Sequence, residues 1–335
     1  MGKDSKSGGM TKQKKKKDKA ASSSVQQPKK QIAHARPLWQ WIAGILLITF
    51  ICYLPVLSDK KEFTNWDDPG YVTEQKLVKD LNAETLKTLF KPSTDVMLNY
   101  HPLTMISLGI DYKLGFDKKT NTLSIKPFAW SNLILHLLNT ALVFIFLYLL
   151  SGRRIWAAVI SALWFGIHPM HVESVAWISE RKDVLYCFFF LLSCIAYLKY
   201  LETNRFLLLA SCFFFFVLSC LSKAMAVPLP LVLILIDILH KRKINFKVVL
   251  EKAPFLIVAL LIGYNAVLIQ DKGAIAEFEI FTLAERFMFA AYGFFMYIVK
   301  LIAPFELSAF YPYPNLDESG NIPAVYYLSP RSHWL

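Results

Sequence analysis

The chain has 335 residues, 55% of them hydrophobic, with a mean hydropathy of +0.39 and a formal net charge of +12. Apolar runs of about 20 residues recur along it, which excludes an ordinary soluble domain and predicts an all-α, multi-span integral membrane protein. Its five cysteines all lie inside apolar runs, so the sequence shows neither a disulfide framework nor a zinc-binding spacing.

Residues 1–36 hold eleven Lys and Arg against Asp4 and Asp18, a net of +9. The stretch TKQKKKKDKAASSS has too little apolar surface to offset the entropy of ordering, and we expect a disordered cytoplasmic tail. Nucleic-acid binding and attraction to anionic lipid are functional readings of KKKK. Because a span follows at once, we read the run as a topology signal and assign no nucleic-acid partner. The apolar segment from Leu38 to Leu57 starts late and has no small-residue cleavage pattern after it, which predicts a retained signal anchor.

Further spans are expected near 127–150, 155–168, 184–201, 205–221, 224–240 and 253–269, with an eighth apolar stretch at 286–303. The expected total is seven to eight in a transmembrane domain covering 37–303. With the basic tail inside, the 58–126 loop lies outside at net zero, SGRR inside at +2 and HPMHVESVAWISERKD outside at −1. HKRKINFKVVLEK then lies inside at +4, and QDKGAIAEFEIFTLAER outside at −2. These charges agree with the positive-inside rule. The Pro- and Tyr-rich segment 304–335 breaks the alternation, being acidic where a simple eighth span would place it inside. We therefore expect 286–303 to be re-entrant, or interfacial with Arg286 and Lys300 at its ends.

Within the large first loop, LNAETLKTLF follows helical periodicity with Asn82 as N-cap. HPLTMISLGIDYKLGF puts Leu103, Ile106, Ile110 and Leu114 on one stripe. Two amphipathic helices along the outer membrane face are predicted.

Several segments carry residues suited to chemistry. In FTNWDDPGYV, Asp67 and Asp68 precede a Pro-Gly turn, and a turn alone explains that pattern. Their position about ten residues after a span also suits a carboxylate that takes a proton from a hydroxyl or organises a divalent cation. In HPMHVESVAWISERKDV, a helix beginning near Pro169 would put Glu173, Trp177, Glu180 and Arg181 on one face. Arg181 and Lys182 there suit a lipid phosphate, with His171 and Glu173 orienting them. His168, His171 and Glu173 lack the HExxH order, and no metal ligand is assigned.

His101 begins the second loop helix, and Asp111 follows it. Lys223 near one end of a Pro-broken apolar segment is a further phosphate candidate. Asp237 at the other end, beside HKRK, reads as a helix-end ion pair. His136, polar within a span, is expected to bond a neighbouring helix.

In order, NWDDPGYV, NYHPLTMISLGIDYKLG, WSNLILHLLNTALVF, LWFGIHPMHVESVAWISERKDVLYCFFFLLS, CLSKAMAVPLPLVLILIDIL and FYPYP resemble one family. It is the multi-span glycosyltransferases of the C-type fold (GT-C) that use lipid-linked sugars, in the O-mannosyltransferase-like branch that carries tetratricopeptide repeats. The similarity runs from Trp39 to Pro314.

The resemblance implies a GT-C-like fold and an enzyme that moves a sugar, mannose by expectation, from a polyprenyl-phosphate donor to a protein or glycan hydroxyl at the outer face. It maps an acidic catalytic residue onto Asp67 and Asp68, with Asp68 the preferred base. Arg181, Lys182, His171, Glu173, Lys223 and His101 fall to the lipid phosphate, and Mg or Mn is left open as a helper ion. A bacterial inner membrane, with the N-terminus cytoplasmic, is the preferred location. Family members continue into further spans and helical repeats, whereas this sequence stops at YLSPRSHWL. The expectation is a truncated product or a chain without the repeats, and a catalytically incomplete scaffold is the alternative function. A transporter fits less well, because no second half repeats the first.

Overall fold

The computed structural model describes residues 37–273, 282–308 and Tyr311. The basic tail and nearly all of the 304–335 segment lie outside the described residues.

Helix α1 (Leu38–Tyr53) runs into a 3-10 turn, Leu54–Leu57. The first loop then forms a short π-helical turn at Pro69–Thr73 and the helices α2 (Lys76–Lys79), α3 (Ala83–Leu89) and α4 (Pro102–Gly115). A two-residue hairpin follows, β1 (Phe116–Asp117) antiparallel to β2 (Thr122–Leu123), with Phe116 opposite Leu123. The bundle continues with α5 (Lys126–Leu150), α6 (Ile155–Ile167), α7 (Val172–Ala176), α8 (Arg181–Thr203) and α9 (Phe206–Ser222). It closes with α10 (Leu229–Leu239), α11 (Phe246–Gln270) and α12 (Leu283–Ile302). Helix α5 is central: it packs on α1, α6 and α8, while α8 packs along α9.

The protein is an all-α membrane protein, with fewer crossings than expected. Among the described residues four helices are long and apolar enough to span: Leu38–Leu57, Lys126–Leu150, Ile178–Thr203 and Phe246–Gln270. A fifth is counted if α6 and the 52°-bent continuation Pro169–Ala176 form one broken span. At 1.5 Å rise per residue, α6 reaches only about 20 Å and α10 about 16 Å against a hydrocarbon core of about 30 Å. Pro169 and Pro228 stop these apolar runs from continuing as single helices.

Helix α12 is not among the helices long and apolar enough to span. Just past α11, Lys272 pairs with Asp95 of the first loop at 2.8 Å. At the last turn of α12, the Leu301 carbonyl lies 2.9 Å from His168 Nε2. Both helices thus end on the face that carries the first loop.

Asn82 caps α3 as predicted, accepting from the Glu84 and Thr85 N–H groups at 2.9 and 3.0 Å. In α4 the stripe predicted to lie along the membrane face and the face packed into the protein are different. Met105, Leu108, Thr104 and Asp111 are buried, while Ile110 and Leu114 of the predicted stripe are exposed. Two apolar faces exist on this helix, and the core takes the one that carries Asp111.

Helices α1, α5 and α6 approach closely at Gly166. His136 Nε2 of α5 lies 2.9 Å from its carbonyl, the interhelical bond expected for that residue. A Cβ at Gly166 would collide with Thr49 Oγ1 of α1 and stand 3.0 Å from Thr140 Cγ2 of α5. Gly166→Ala should therefore destabilise the bundle by about 1–3 kcal/mol. Adding Thr49→Ala should recover part of the loss, as read by thermal unfolding in detergent; equal melting of Gly166→Ala and the unaltered protein would refute the close approach.

Candidate functional site

The face carrying the first loop is built around residues 58–68, which are strapped to residues 174–180. Lys61 Nζ donates to the Ala176 carbonyl at 2.6 Å. Asp68 is 1% exposed, and both its oxygens are filled. Oδ2 accepts from the Thr64 N–H at 2.8 Å and hydroxyl at 3.1 Å, and Oδ1 accepts from the Ser179 N–H at 3.1 Å and hydroxyl at 2.5 Å. A carboxylate with four donors has no lone pair left for a substrate proton. The preference for Asp68 as base is therefore corrected: it is the tie that fixes the loop. Asp67, half-buried, has no side-chain hydrogen bond or ion pair among the described residues, and it is the carboxylate left open.

The expected single helix from Pro169 is also corrected. A 3-10 turn, Pro169–His171, leads into α7, and Trp177 is extended before a second 3-10 turn, Ile178–Glu180. Asn132 Nδ2 takes up the Val175 and Trp177 carbonyls, each at 3.2 Å, that this break frees. The predicted common face is split: Glu173 is exposed, whereas Glu180 and Arg181 are buried.

Arg181 is fully buried and does not present itself to a phosphate. Its Nη2 pairs with Asp111 Oδ2 at 2.6 Å and reaches the Phe128 carbonyl at 3.0 Å. Nη1 donates to Ser107 Oγ at 2.6 Å, and Nε donates to Asn132 Oδ1. Ser131 Oγ adds a 2.8 Å bond to the other Asp111 oxygen. Sequence alone had assigned this guanidinium to the donor; the structure makes it the junction of α4, α5 and α8.

The remaining groups meet around Tyr71, which Asp67 also approaches. Tyr71 is buried and stacks on His101, with centroids 5.3 Å apart. Lys182 Nζ stands 4.7 Å over the Tyr71 ring and 2.7 Å from Glu180 Oε1. Lys223 pairs with Asp183 and lies 3.8 Å from Glu180 Oε2. Ser174 Oγ donates to the other Asp183 oxygen at 3.2 Å. Burial, with Asp67 and Glu180 close by, holds the Tyr71 phenol above its ordinary range.

Lys182 and Lys223 are thus matched by Glu180 and Asp183, so the cationic half expected from sequence is neutralised internally. His171 packs instead among the rings of Phe165, His136 and His168, at 4.5, 6.1 and 6.1 Å. The Glu173 carboxylate has no hydrogen bond or ion pair among the described residues.

Lys61 was missed in the sequence, where nothing distinguishes it from Lys60. Burial pushes its amine down to about 8, opposed by the charge of Asp68. No group of three or more His, Cys, Asp or Glu side chains converges among the described residues. Among the described residues no such set fits a resident divalent cation, and no step is derived through one.

Against this geometry stand the similarities to known proteins. The chain is similar in part to protein O-mannosyl-transferases. It is 32% identical over 108 residues to human protein O-mannosyl-transferase TMTC2, covering 32% of this chain and 12% of the relative. With human TMTC4 it shares 34% over 122 residues, 32% of this chain and 16% of the relative. With Xenopus laevis tmtc2 it shares 31% over 156 residues, 44% and 18% respectively. Each match covers less than a fifth of the relative's length. No family model matches the chain, and no solved structure matches it.

Two predictions follow from the buried groups. Removing one partner of a buried ion pair strands the other, so Arg181→Ala should cost about 3–5 kcal/mol. The double change Arg181→Met with Asp111→Leu should cost less than the two single changes together, as a double-mutant cycle on thermal unfolding would show; strict additivity would refute the pairing.

The second prediction concerns His101, whose imidazole is pushed down to about 3, first by burial and then by Lys182 and Lys223. Against an unfolded value of 6.5, the folded state keeps the ring neutral while the unfolded chain protonates. The stability this ring contributes is fully present above pH 6.5 and is lost as pH falls towards 3, about 2 kcal/mol by pH 5. His101→Phe, which keeps a ring on Tyr71, should flatten melting temperature between pH 7 and 5, and an unchanged slope would contradict this assignment.

Proposed function

We propose that the protein is a membrane glycosyltransferase that moves a sugar, mannose by analogy with its relatives, from a polyprenyl-phosphate donor to a hydroxyl on a protein or glycan. The single observation that carries this reading is the open carboxylate of Asp67, close to the Tyr71 ring over which Lys182 stands, on one face of a membrane bundle. Partial similarity to protein O-mannosyl-transferases supplies the reaction class. The loop face is assigned to the non-cytoplasmic side on the charge alternation. The relatives named above include human and frog proteins and lend a bacterial inner membrane no support.

In this mechanism Asp67 takes the proton from the acceptor hydroxyl as its oxygen bonds to the anomeric carbon. The bond from that carbon to the phosphate oxygen breaks, and polyprenyl phosphate leaves with the electron pair. Lys182 and Lys223 stand where cations would stabilise the negative charge that grows on the phosphate. Their carboxylate partners hold the ammonium groups in place before substrate arrives, so less reorganisation is required when the charge develops. Phosphate oxygens then compete with Glu180 and Asp183 for the same N–H donors.

Asp67→Asn should lower transfer of labelled mannose from a synthetic polyprenyl-phosphate donor by about 10²- to 10⁴-fold in proteoliposomes, with melting temperature unchanged. Asp68→Asn should lower melting temperature, because an amide cannot accept at both positions now filled by Thr64 and Ser179. Full transfer by Asp67→Asn would remove that residue from the mechanism.

A second reading, a scaffold that keeps the fold without the reaction, is favoured by the internal pairing of Lys182 and Lys223. It requires that no sugar is incorporated from any polyprenyl-phosphate donor and that a partner protein copurifies stably.

A further inference from the structure

Trp66 immediately precedes Asp67, and its indole is 56% exposed in spite of the packed residues around it. Trp177 meets it edge to face, with centroids 5.4 Å apart at 77°. Trp177 is itself fixed at the chain break: its N–H donates to the Glu173 carbonyl at 3.0 Å, and its own carbonyl accepts from Asn132. Its indole Nε1 is nevertheless buried with no hydrogen-bond acceptor among the described residues. Buried tryptophan N–H groups normally find an acceptor, and leaving one unmade is unfavourable.

The two rings therefore leave two unmet demands next to the open carboxylate. The exposed Trp66 suits an apolar surface, and the Trp177 N–H needs an oxygen. An acyl chain meets the first demand only, and a phosphate group the second only. A hexose meets both, since one face of its ring is a patch of C–H groups and its rim is hydroxyls. Anchoring at the membrane interface accounts for the exposure of Trp66 but not for the buried, unpaired donor on Trp177.

We propose that Trp66 and Trp177 form the platform for the hexose ring of the lipid-linked donor, holding its anomeric carbon within reach of the hydroxyl that Asp67 activates. This rests on the glycosyltransferase reading above. The platform makes Trp66 and Trp177 recognise the sugar and Lys182 the phosphate, so the two contributions separate when the sugar is removed from the ligand.

The test is binding by the full chain in nanodiscs, titrated with polyprenyl-phosphate mannose and, separately, with polyprenyl phosphate lacking the sugar. Trp66→Ala, and Trp177→Phe, which keeps the ring stack but removes the N–H, should each weaken the mannosyl lipid about tenfold and leave the bare lipid unchanged. Trp66→Tyr should restore most of the loss, and Lys182→Gln should weaken both lipids. If the unaltered protein prefers the mannosyl lipid and the tryptophan variants keep that preference, the platform is wrong and the enzyme reading stands. If the unaltered protein does not distinguish the two lipids, both are wrong.

Discussion

The site depends on the buried pair of Arg181 and Asp111. Arg181 begins the long helix α8, Asp111 lies in α4 of the first loop, and Asn132 and the Phe128 carbonyl come from α5. One guanidinium thus joins a loop helix to two helices of the bundle. Its planar fork makes this junction possible: separate donors point at Asp111, Ser107, Asn132 and Phe128, which a single ammonium could not reach with the same geometry. Away from water, such a pair contributes little net stability compared with a well-packed apolar substitute, but its geometry is demanding. The loop therefore docks in one orientation.

Once docked, the loop is closed by shorter ties that act in series. Asp68 binds Ser179, two residues before Arg181, and Lys61 binds Ala176. Together they hold the Trp66–Asp67 step against the break at Trp177. The polar residues divide into those consumed in building the surface and those left over. Asp68, Arg181 and Asp111 belong to the first set; Asp67, the Trp66 ring and the Trp177 N–H belong to the second. Charge follows the same division, since Lys182 and Lys223 are balanced by Glu180 and Asp183 and Asp67 remains as an unmatched charge. On the opposite face a comparable network, Asp237 with Lys252 at 2.5 Å and Arg242 with Glu251 at 2.8 Å, closes the other ends of α8, α10 and α11.

Much of the fold was legible in the sequence because apolar length and local caps are local properties. The starts of α1 and α5, the end of α11, the Asn82 cap and the interhelical bond of His136 each follow from residues close in the chain or from the cost of a polar group in a span. The number of crossings was less legible, because it depends on whether Pro169 and Pro228 bend a run or end it. The face of α4 that packs into the protein was not legible for a related reason: the helix carries two apolar faces, and the one that packs inward carries Asp111, whose partner is 70 residues away. Composition gives no sign of that partner.

The candidate site was legible in its membership and much less so in its roles. Asp67 and Asp68 are chemically identical neighbours, so local sequence cannot rank them. The ranking comes from Ser179, 111 residues from Asp68, whose N–H and hydroxyl occupy one oxygen while Thr64 occupies the other. The same reasoning separates the adjacent Arg181 and Lys182. Extended backbone at Trp177 turns the first cation into the core and leaves the second over Tyr71, which the open carboxylate also approaches. In both pairs one residue is spent to place the other, so the chemistry at this face is set by which member of each pair the fold leaves incompletely satisfied.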